Sequence, residues 1–221
     1  MVEIRLYAIG IDEVRDWFGA GRETAATLRG IAAERFRAPV AEQRAPSGML
    51  SKLGPLFRHD PWAPRLPADL PTPADVEQLI TGRFVAPDRL APSWTVVRAW
   101  LEDLSWGQVV LGFGDTEWRD LEFDLARAGV PSQFAISKLW SLDPALPLRA
   151  EPGTAIGYAK HHHAVATADE LRTAAQRVGD SSRGPLGRVI GFLDALAGWS
   201  ASAAAAGRPT PDVVGSCRTE A

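Results

Sequence analysis

Three of the four histidines in this chain stand consecutively, as His161, His162 and His163. In an extended strand, His161 and His163 point to one face and His162 to the other. Two imidazoles on one face are the beginning of a metal site. A catalytic zinc takes three protein ligands and keeps an open position. His59 and Cys217 are far off in sequence and the carboxylates are scattered, so no third ligand stands at a recognisable spacing. The alternative is a run of solvated or hydrogen-bonded histidines at a strand end. Histidines titrating near their ordinary value would also make a surface contact sensitive to mild acid.

Other reactive patterns are incomplete. Gly112 and Gly114 follow an expected strand and precede an expected helix, but Glu117 stands where the third glycine of a phosphate-binding turn would be. An acidic residue there repels a pyrophosphate, and a tight turn accounts for both glycines. There is no G-x-S-x-G elbow, and Cys217 falls in an expected loose tail, so neither serine nor cysteine is nominated as a nucleophile. Glu102 with Asp103, and Asp120 with Glu122 and Asp124, read as exposed helix faces or capping charges. Of the eight tryptophans, Trp17, Trp94, Trp100, Trp118 and Trp140 lie on or beside inward stripes and read as core. Trp62, Trp106 and the nearby Phe57 are the aromatic candidates for partner anchors, since aromatic residues are enriched at interface hot spots.

The elements that would position these residues follow from periodicity. Ile4, Leu6 and Ala8 alternate with Arg5, Tyr7 and Ile9 and predict a first strand. Two helices follow, one capped by Asp12 and a second carrying Ala25, Leu28, Ala32 and Phe36. Residues 38–71 hold seven prolines and predict an extended arm, whose Leu53, Leu56, Phe57 and Trp62 are too apolar for a free linker. Thr72 to Asp75 reads as a capping pair with Pro73 at the first helical position. Ser93 is expected to cap a helix bearing Trp94, Val97, Leu101 and Leu104. Val109 to Phe113 predicts a second strand, and Asp115 or Thr116 caps the next helix. A third strand is expected over Ala155 to Val165, then a helix opened by a capping box at Thr167 and Glu170. Pro185 is expected to start a long last helix, and 208–221 reads as a loose tail with Val213 and Val214 as an edge strand.

These elements predict one α+β, helix-rich domain over 1–221, with a small sheet of three to four strands against six to seven amphipathic helices. The 221 residues, 46% hydrophobic and 23% charged, suffice for a real core. A net charge of -3 gives no overall field to attract phosphate backbones, so nucleic acid is not an expected partner. One cysteine excludes an internal disulfide and fits a reducing compartment. Glu3 and Arg5 near the start are unlike a secretory signal, and Arg188 and Asp194 interrupt the longest apolar stretch. A cytoplasmic protein without membrane contact or cofactor is expected. Only three of the 24 basic residues are lysines, and the richness in Ala, Arg, Gly and Pro fits a GC-rich bacterial genome.

The strings "LARAGVP", "LPL", "IGYA" (Ile156 to Ala159) and "FLDALAGWSASAAAAGRPTPDVV" give the second half a family likeness. It resembles uncharacterised bacterial proteins of the YfbM-like type, in the first strand and after Asp115 but not in the proline-rich arm. That family brings no established activity, so the resemblance implies no site residue. The functional expectation is a non-catalytic protein-binding or accessory module, for example a toxin-neutralising partner. The alternative is a metal-assisted small-molecule enzyme with His161 and His163 as ligands and Tyr158 as a polar pocket group.

Overall fold

The computed structural model describes residues 1–36, 70–114 and 116–219. The architecture is α+β and helix-rich. The chain runs β1 (Val2–Ile9), α1 (Ile11–Asp16), α2 (Arg22–Arg35), α3 (Pro73–Ile80), α4 (Leu90–Leu104), β2 (Gln108–Phe113), α5 (Glu117–Arg127), β3 (Thr154–Ala159), α6 (His161–Ala174), α7 (Asp180–Asp194), α8 (Leu196–Ala205) and β4 (Asp212–Thr219). Short 3₁₀ turns at Pro87–Arg89, Ser132–Phe134 and Ile136–Trp140 join some of these. The four strands form one antiparallel sheet in the order β2-β1-β4-β3.

The period-two alternation in β1 splits the molecule into layers, because successive side chains leave a strand on opposite faces. Ile4, Leu6 and Ala8 join one core with the buried residues of α5, α6, α7 and the Ile136–Trp140 turn. Tyr7 and Ile9 join the other, with α1, α2, α3 and α4. Within the second core the Trp100 indole N–H donates to the Leu28 carbonyl at 2.9 Å, tying α4 to α2. Helix α3 starts as its sequence predicts. The Thr72 hydroxyl accepts from the Asp75 amide, Asp75 accepts from the Thr72 amide, and Pro73 needs no partner.

Several boundaries differ from the sequence reading. Helix α4 begins at Leu90, which leaves Ser93 buried inside it rather than capping it. The expected third strand ends at Ala159, and His161 to Val165 are helical. Thr167 therefore lies within α6, where its hydroxyl donates to the His163 carbonyl at 2.9 Å instead of capping. The long last helix starts at Asp180 and breaks at Ala195 into α7 and α8. The expected loose tail, 208–221, instead supplies β4, an inner strand hydrogen-bonded on both sides. Two strands in an antiparallel sheet satisfy its backbone polar groups, which a free tail leaves to water. Among the described residues no helix is long and apolar enough to cross a membrane.

Candidate functional site

The second face of the sheet changes character along the strands. Register places Tyr7, Val214 and Tyr158 side by side across β1, β4 and β3, then Arg5, Ser216 and Ile156, then Glu3, Arg218 and Thr154. The first row is largely apolar and lies in the second core. The last is polar and unsuited to burial under an apolar helix face. Helix α4 crosses this gradient, with Trp94, Val97 and Leu101 packed in the core and Arg98 and Glu102 reaching the charged end. An i, i+4 spacing puts Arg98 and Glu102 on one side of that helix.

The result is a cleft of about 180 Å³ lined by Met1, Glu3, Arg5, Arg98 and Arg218. Arg5 grips Glu3 with both ends of its fork, at 2.8 and 3.4 Å, and reaches Glu102 at 3.1 Å. Arg98 donates to Glu151 at 3.0 Å and to the Thr95 hydroxyl at 3.0 Å. The Arg218 side chain is exposed and makes no hydrogen bond or ion pair with a described residue, although its charge acts on Glu3. The Arg5 hydrogen bond, aided by the charges of Arg218 and Arg98, holds the Glu3 carboxyl below its ordinary range despite partial burial.

A separate, smaller space of about 30 Å³ has a lining that includes Tyr7, Trp94, Thr154, Ser216 and Arg98. Arg98 lines both spaces. Tyr7 is 1% exposed, and neither its hydroxyl nor that of Thr154 has a hydrogen-bond partner, though both oxygens are buried. Burial pushes the Tyr7 phenol above its ordinary value, opposed first by a hydrogen-bonding interaction with the Arg5 guanidinium and then by its charge. The phenol is therefore a neutral donor rather than a base. The guanidinium groups of Arg5, Arg98 and Arg218 that line the cleft favour a negatively charged group by charge.

The residues singled out in the sequence lie elsewhere. Phe57, Trp62 and most of the proline-rich arm fall outside the described residues. Trp106 follows α4 at the opposite end of β1, where its backbone N–H donates to the Ala8 carbonyl at 2.9 Å. Its ring is half-buried against the first core, and the Arg208 guanidinium stacks 4.7 Å from its centroid. His161 and His163 open α6 rather than sharing a strand face. Two positions apart on a helix they diverge by about 200°. The His161 ring bonds the Pro211 carbonyl at 3.0 Å, and the His163 ring stacks on Phe134 at 5.5 Å. Tyr158 has Arg15 and Lys160 over its ring at 5.5 and 5.4 Å. Among the described residues no three His, Cys, Asp or Glu side chains come together as a metal site. Cys217 packs against the first core, and burial pushes its thiol up, away from reactivity.

Tyr7, Arg98, Thr154 and Arg218 were missed from the sequence. The alternation of Glu3, Arg5 and Tyr7 carried part of the signal, since it places all three on one strand face. Arg218 had none, because its strand was read as a tail.

The molecule is thus an α+β protein with a charged cleft across one end of an antiparallel sheet. The chain belongs to a family described as a domain of unknown function (DUF7691), whose model matches residues 2–218. No curated protein and no solved structure matches it.

Proposed function

We propose that this chain is a non-catalytic recognition module that takes an acidic group of a protein partner into the cleft between α4 and the charged end of the sheet. The observation that carries this reading is the exposed guanidinium of Arg218, which lines the cleft beside Arg5 and Arg98 and has no ion-pair partner among the described residues. Size favours a side chain or chain end over a free metabolite. The cleft holds about 180 Å³, whereas small-molecule sites generally span about 300–1,000 Å³. The YfbM-like resemblance adds no residue to the reading, because that family contributes no activity.

The test compares the wild-type chain with Arg218→Glu in gel filtration and pull-down against the products of neighbouring genes. Arg218 is exposed but faces Glu3 across the β1–β4 ladder, so the melting temperature of the variant is measured beside binding and a loss of partner counts only where the fold is retained. A partner retained by the wild type is expected to bind at least about tenfold more weakly to the variant, because an attractive contact becomes a repulsive one. Equal retention by both proteins, or no specific partner at all, refutes the reading.

A further inference from the structure

We infer that the outer edge of β2 pairs with the same edge of a second copy of this chain, continuing the sheet across a two-fold axis at Val110.

The backbone fixes which groups of β2 face outward. The Ala8 amide donates to the Gly107 carbonyl at 2.9 Å, so Ala8 turns its backbone polar groups toward the β2 side. Alternation turns Leu6, Ile4 and Val2 the same way, and their register partners Val109, Leu111 and Phe113 turn back to meet them. Gln108, Val110 and Gly112 therefore direct their N–H and C=O groups away from the sheet. The Val110 carbonyl accepts from Arg188 at 3.5 Å, as only an outward carbonyl can. That contact is long, comes from an exposed side chain and leaves the second lone pair of the oxygen free. Among the described residues nothing accepts from the three outward N–H groups.

The two edges of the sheet differ. At β3, Leu142 bridges the outer edge, donating to the Tyr158 carbonyl at 3.2 Å and accepting from the Tyr158 amide at 3.0 Å. At β2, Gln108–Phe113 carries neither a charge nor a proline, the residues that ordinarily blunt an open edge. Val110 there is 42% exposed.

A second copy fits because the edge is its own complement. Laid antiparallel about Val110, each Val110 meets its equivalent and each Gln108 meets the other copy's Gly112. Every outward residue then falls opposite an outward residue, giving up to about six ladder hydrogen bonds. The valine pair covers the exposed side chains, and no charged residue of the two strands opposes a like one. Space around Gly112 is open and leaves room for the glutamine. Helix α7 packs on β2, so joining the strands brings two copies of α7 together. Gly184 and Gly191 lie on the same side of α7 as Arg188, the side that reaches the edge, and a Cβ added to either would meet nothing. Bare positions there let two helix axes approach to about 8–10 Å.

Sedimentation equilibrium from about 1 µM to about 1 mM is expected to show a monomer–dimer equilibrium, because so short a pairing makes a transient interface. As the concentration rises, the amides of Gln108, Val110 and Gly112 are expected to gain protection from hydrogen exchange, while those of Val109, Leu111 and Phe113 are protected throughout. Val110→Lys sets two ammonium groups against each other at the axis and is expected to weaken dimerisation at least about tenfold. Val110→Pro removes the outward donor and leaves the pairing with β1 untouched, and is expected to do the same. Melting temperatures verify both folds, and Val110→Lys carries the test should the proline variant melt early. A chain that stays monomeric throughout the range overturns the inference, including one whose three outward amides become protected only when another protein is added. So does a dimer that leaves those amides unprotected, or that Val110→Lys does not weaken.

Discussion

Two carboxylates respond to acid in opposite senses, and each response follows from its neighbours. Burial alone would raise the pKa of Asp75, but the Arg89 pair and the Thr72 bonds override it and hold the carboxyl below its ordinary value. A depressed folded-state pKa contributes stability above the unfolded value, and that stability is lost as the pH falls through the folded value. At Glu122 burial wins, and the Ser137 donors only partly offset it, so the folded-state pKa is raised. There the folded chain takes up a proton first and gains stability as the pH falls. Asp75→Asn is expected to cost about 2 kcal/mol at neutral pH, a deficit that shrinks below about pH 4. Glu122→Gln should cost little at neutral pH and abolish the gain on mild acidification. Denaturant unfolding of the three proteins from neutral pH into acid checks both signs, and a deficit for Asp75→Asn that grows in acid would contradict the account.

At the scale of elements, Asp212 joins three parts of the fold. It is 6% exposed and accepts from the Ile11 amide at 3.2 Å, the His161 amide at 3.0 Å and the Lys160 ammonium at 3.2 Å. Helices α1 and α6 have Gly10 and Lys160 at their N-caps, and neither makes a side-chain capping bond. One carboxylate at the start of β4 thus serves both helix N-termini, where free amides and the helix dipole favour negative charge. Asp212→Ala is expected to destabilise the protein by about 2–4 kcal/mol, more than one ordinary cap, because it strands two helix ends. Asp212→Asn retains one acceptor and should recover part of that loss. Thermal unfolding of the pair measures it, and a cost for Asp212→Ala within that of a surface substitution would contradict the shared-cap account. The same contact explains why the start of α6 was not legible. Its cap lies 51 residues away in sequence, whereas the Thr72 and Asp75 cap of α3 is local and was read correctly.

At the scale of the molecule, β4 decides whether the sheet exists. It pairs with β1 over Asp212 to Thr219 and with β3 over Val213 to Arg218, so its loss separates β3 from the rest. A chain ending at residue 211 is expected to lack the cooperative unfolding transition of the full protein and to be cleaved rapidly by protease. Native-like unfolding of that truncated chain would refute the inner-strand assignment. The sequence by itself determined what rests on near neighbours: the alternation that makes β1 a strand, the apolar spacing of Trp94, Val97 and Leu101 in α4, the capping box at Thr72, and the helix-rich α+β class. Tertiary structure alone decided that Val213 and Val214 sit inside the sheet, that His161 and His163 diverge on a helix, and that Arg5, Arg98 and Arg218 share one cleft. Strand neighbours and remote caps are chosen by burial and pairing between segments more than two hundred residues apart, as Val2 and Thr219 are. No local spacing records that choice, which is why the cleft was invisible until β1, β3, β4 and α4 were brought together.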